Sequence, residues 1–114
     1  MSINDIMDLF MAKDDGNAEL AINRTAEIVR VGMEYAKNIQ RKNDEWDIVW
    51  AMPLPENEGE RSCEIVIGDR HTQFEPFVAW HCFDRESYAW GHYCNTFGGA
   101  FEEAIEKLRK ELGM

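Results

Sequence analysis

The apolar period of the chain changes at Trp46. Before it, Ile22, Ala26, Val29, Met33 and Ala36 recur at steps of three and four, which marks one face of a helix. From Trp46 the pattern alternates: Trp46, Ile48, Trp50 and Met52 on one side, Asp47, Val49 and Ala51 on the other. A chain that is helical before this point and alternating after it must lay a helix stripe on a sheet face. That requirement defines an α+β two-layer domain.

The remaining elements follow from local signals. Ser2 caps a short helix carrying Ile3, Ile6, Met7 and Phe10, and Asp14-Asp15-Gly16 breaks it. Asn17 caps a longer helix ending near Asn43, with Gly32 inside it where another element can approach closely. Strands are expected over 46–52, 63–67, 77–83 and 88–94. They are separated by PLPENEGERS, by GDRHTQFEP and by a tight turn at Asp84-Arg85-Glu86-Ser87. Asn95 and Thr96 are candidate caps for a last helix with Phe97, Phe101, Ala104, Leu108 and Leu112 on one face. The expected order is α-α-β-β-β-β-α: a single domain over residues 1–114 with a four-stranded antiparallel meander, two N-terminal helices and one C-terminal helix.

Composition narrows the function classes. With 22 acidic and 12 basic residues the net charge is −10, so direct binding to nucleic-acid phosphates is disfavoured and a basic protein partner is better matched. No stretch approaches a membrane span, and the N-terminus interrupts its apolar residues with Asp5 and Asp8, unlike a signal peptide. A cytoplasmic location with reduced thiols is expected, and three cysteines do not make a disulfide framework. No phosphate-binding glycine loop occurs, and no paired carboxylates stand out from helix-end and loop roles.

All three cysteines and all three histidines fall between residues 63 and 94. If the hairpin turn pairs Asp84 with Ser87, His81 faces Trp90, Ala79 faces His92 and Phe77 faces Cys94. His81, His92 and Cys94 then share one sheet face, with diagonal and along-strand spacings of about 7 Å. Three such ligands suit a tetrahedral zinc, structural in role, with Cys63, His71, a carboxylate or water as the fourth. A hairpin one residue out of this register would instead collect Cys82, His92 and Cys94. The competing reading is that these residues simply fill the sheet. Adjacent His81 and Cys82 point to opposite faces, so a Cys–His nucleophile is not expected.

Acidic charge concentrates from Asn43 to Glu64: seven acids against Arg61 alone. Glu56, Glu58 and Glu60 share one loop and are the candidate partner-binding residues, through complementary potential. Of Trp46, Trp50, Trp80 and Trp90, most are expected in the core; one left exposed would mark a protein interface.

The hairpin ending in WGHY, followed by the amphipathic FEEAIEKL, resembles small phage and prophage proteins over Trp90 to Leu108. In size and charge the chain is also similar to phage-encoded anti-CRISPR inhibitors. That resemblance implies a cytosolic inhibitor, not an enzyme, that binds a CRISPR effector nuclease and blocks it sterically or electrostatically. It carries over no site residues. The expectation is thus a small acidic inhibitor or modulator of a larger basic, nucleic-acid-handling protein. The alternative is a metal-dependent enzyme with an open Cys/His-coordinated metal.

Overall fold

The computed structural model describes residues 18–54, 62–111 and 113. Helix α1 spans Ala18–Ile39; strands β1 (Lys42–Asn43), β2 (Trp46–Pro53), β3 (Cys63–Asp69), β4 (Phe77–Phe83) and β5 (Ser87–Cys94) follow; helix α2 spans Phe97–Glu111. The sheet order is β1-β2-β3-β4-β5, every neighbour antiparallel. The α+β meander is therefore present, with five strands where four were expected. The helix expected over Ser2 to Phe10 and the loop residues Glu56, Glu58 and Glu60 lie outside the described residues.

The fifth strand comes from an early helix stop. Gln40 takes a left-handed conformation (φ 49°) and its N–H donates to the Ala36 carbonyl at 3.0 Å, which closes α1 four residues before Asn43. The chain then reverses around Asp44-Glu45, with Asp44 at φ 51°, and Lys42-Asn43 pairs with Trp46-Asp47.

Two bulges correct the simple alternation. In β2 the register slips between Ile48 and Trp50. Trp46 and Ile48 consequently join Ala51, Val66, Val78, Trp80 and Cys82 on one face, while Trp50 and Met52 join Ile65, Ile67 and Ala79 on the other. In β5, Phe83 pairs with Ser87 and His81 with Ala89, but Ala79 pairs with His92 and Phe77 with Cys94. The extra residue sits at Trp90-Gly91. The turn is the three residues Asp84-Arg85-Glu86, with Asp84 and Arg85 both at positive φ.

The face carrying Trp50 and Met52 is the main core, and α2 seals it with Ala100, Phe101, Ala104 and Leu108. Thr96 caps α2, its Oγ1 accepting from Gly99 N–H at 3.0 Å. α1 lies along β2 through Ile28, Gly32 and Ala36, a small rotation from the expected stripe: Ala36 is buried and Val29 packs against the core, but Met33 and Ala26 are exposed. Gly32 sets that rotation. The Trp50 indole occupies the space where a Cβ at 32 would go, and Trp50 Nε1 donates to the Ile28 carbonyl at 3.3 Å. The face carrying Trp46 and Ile48, the second core, is packed by Tyr35 and Ala36 from α1 and by Tyr88.

Candidate functional site

Helix α2 covers the face on which His81, His92, Cys94 and Cys63 were expected to converge, and it separates them into two pairs. Near the C-terminal end of α2, His81 Nε2 lies 3.2 Å from Glu111 Oε1, and Cys63 feels the Glu111 charge. Toward its N-terminal end, His92 Nε2 lies 3.9 Å from Glu103 Oε2, and Cys94 lies near Glu103 and Glu75. Glu103 and Glu111 are eight residues apart, about 12 Å of helix. His71 is elsewhere, 2.8 Å from Asp47 Oδ2. Among the described residues no group of three or more His, Cys, Asp or Glu side chains is placed to hold a metal ion. The register that would have brought His81 opposite Trp90 is lost to the β5 bulge.

The thiols are poorly suited to nucleophilic work. Burial, followed by Glu111, pushes Cys63 up to about 11. Burial likewise raises Cys82 and Cys94, with Glu103 and Glu75 adding to the shift at Cys94. A thiol held protonated at neutral pH is a weak nucleophile. His81 moves the other way. Burial and the Lys107 charge hold it below its ordinary 6.5, and the Glu111 contact opposes them only in part.

Three of the four tryptophans are interior: Trp50 is fully buried, and Trp46 and Trp80 nearly so. Trp90 is not. It is 66% exposed and its backbone is left-handed, at φ 54°. A bulky aromatic residue is strained there and must be held in place by its surroundings. Lys107 supplies the hold. Its amine, buried beneath the strand, donates to the Trp90 carbonyl at 2.7 Å. The Trp90 ring then meets His81 at 5.0 Å and Phe83 at 5.7 Å, edge to face, leaving the rest of the indole in solvent. A buried lysine leaves no mark in an amphipathic pattern when its partner is a main-chain carbonyl. Gly91 belongs to the same device, because a side chain there would strike the Trp80 indole.

Among the described strands β5 is the sheet edge, paired only to β4. Besides Trp90 it leaves Tyr93 52% exposed, and the β3–β4 loop leaves Phe74 74% exposed. A groove of about 370 Å³ lies between α1 and β2, lined by Met33, Glu34, Lys37, Ile48 and Val49. Its lining contains no cysteine or histidine. One further polar cluster went unread in the sequence. Arg41 Nη1 donates to Glu64 Oε1 at 3.0 Å within the second core, the side chains only 12% and 6% exposed, and the guanidinium lies over the Tyr88 ring. Among the described residues no helix is long and apolar enough to cross a membrane.

Comparison of the chain with protein-family models, with curated proteins and with solved structures finds no match.

Proposed function

We propose that this chain is a non-catalytic binding protein that attaches to a larger basic protein which handles nucleic acid, and obstructs it. The observation that carries the reading is Trp90. An exposed indole on an edge strand, fixed in a strained backbone by a buried lysine, is an anchor whose geometry is set before any partner arrives. The net charge of −10 supports the choice of partner, because acidic potential steers encounter with a basic surface and repels nucleic acid. The acidic loop residues Glu56, Glu58 and Glu60 act in the same steering role.

Within that class, the partner favoured by the size, the charge and the WGHY hairpin is a CRISPR effector nuclease. The test is target cleavage by a panel of purified, guide-loaded effector nucleases, with and without the protein, and binding at low and high ionic strength. Inhibition of at least one nuclease is expected, with salt-weakened binding. Trp90→Ala should weaken binding about tenfold or more. Reversing Glu56, Glu58 and Glu60 to Lys should mainly slow association. Absence of binding to every basic nuclease, or affinity indifferent to salt and to Trp90→Ala, overturns the reading.

A further inference from the structure

The meander brings three segments to one end of the sheet: the β1–β2 turn at Asp44-Glu45, the β3–β4 loop over 70–76, and the end of β5 at Tyr93 to Asn95. Trp46 links them. The Arg70 guanidinium stacks over it at 4.8 Å and the Tyr93 ring meets it at 5.9 Å. Phe74, whose carbonyl accepts from Arg70 of this stack, is a loop residue and the most exposed large apolar side chain described.

The loop that carries Phe74 is braced from within. Arg70 N–H donates to the Pro76 carbonyl at 2.9 Å, and Arg70 Nη2 donates to the Phe74 carbonyl at 3.1 Å. Thr72 Oγ1 accepts from Arg70 Nε and donates to the Phe74 carbonyl, each at 3.1 Å. His71 N–H donates to Asp69 Oδ1, and Glu75 N–H to Asn95 Oδ1. Both flanks of the loop, His71 and Glu75, sit at positive φ. A loop fixed this thoroughly orders little on binding, so burial of Phe74 is not offset by lost chain freedom.

Charge selects the occupant. Asp44, Glu45, Asp47, Asp69 and Glu75 surround this end, against Lys42, Arg70 and His71. Lys42 and His71 lie on Asp47, His71 also on Asp69, and Arg70 is turned inward onto Trp46, which leaves Asp44, Glu45 and Glu75 as the outward carboxylates. A second copy would set these carboxylates against themselves, and an anionic membrane or nucleic acid would be repelled. We infer that this end of the sheet is a docking surface for a lysine- or arginine-rich protein segment, with Phe74 and Tyr93 as its apolar anchors. The inference rests on the proposed function in taking a basic protein as the partner, and it adds a second contact region on β5 beyond Trp90.

The experiment is an amide-shift titration of the full chain with a synthetic peptide of repeating Arg-Lys-Leu units. Shifts are expected to cluster at 44–47, 70–76 and 93–95 and to fade at high ionic strength. Phe74→Ala and Tyr93→Ala should each weaken binding about tenfold, with the remaining amide spectrum native. Shifts spread evenly over acidic residues of α1 and α2, or unchanged affinity in Phe74→Ala, overturn the surface. So does self-association through these residues without peptide. The two readings fail separately. Peptide binding here with no effect on any nuclease removes the proposed function alone, whereas a nuclease inhibited equally by wild type and Phe74→Ala removes the surface alone.

Discussion

An alanine at position 32 would drive its methyl carbon into the Trp50 indole, which is itself pinned to the Ile28 carbonyl. Gly32→Ala removes a helix glycine, a change worth up to about 1 kcal/mol of stabilisation on an open helix. Here overpacking outweighs it, and a net loss of roughly 1–3 kcal/mol is expected, read as a lower urea midpoint at unchanged slope. His81 sets a pH dependence of definite sign. Its folded form resists protonation, so between its depressed value and the ordinary 6.5 the unfolded chain binds more protons. The stability it contributes is complete above 6.5 and is lost as pH falls below that value. The charged groups that act on it are Lys107 and Glu111 from α2. Urea midpoints should fall from pH 7.5 to pH 5, and His81→Gln should flatten that fall.

At the scale of elements, the Arg41–Glu64 pair ties the chain after α1 to β3 through the second core. Removing one partner strands a buried charge. Arg41→Met or Glu64→Leu alone should cost about 3–5 kcal/mol by denaturant unfolding, and the double variant should recover most of it. A double variant as unstable as the sum of the singles would mean the pair is not coupled. The two described helices, the four longer strands and the meander were all legible, because each is a local period or a short connection. The bulges were not. One inserted residue changes which face a strand shows without changing its composition, so Trp46 and Ile48 read as partners of Trp50 and Met52. The short β1 was hidden for a related reason. Lys42 and Asn43 have no apolar period, and only the left-handed turn at Gln40 separates them from the helix.

For the whole molecule, what the sequence announced was charge; what it concealed was the placement of anchors. A net of −10 is visible in composition, and the proposed salt-sensitive binding follows from it. That Trp90 would be the tryptophan left outside depends on the bulge in β5 and on Lys107, seventeen residues away. The clustering of Cys and His in the second half was real as a sequence feature. Its three-dimensional meaning changed once α2 lay across that face and drew the two imidazoles to separate glutamates.

The irregularity in β2 also polices assembly. The observed register puts Trp46 on one face and Trp50 beside Gly32 on the other, and a one-residue slip of that strand exchanges the faces its side chains occupy and takes both indoles from these berths. A misaligned chain therefore loses the fitted shelter of two large aromatic rings at once, and the native alignment is favoured by both together.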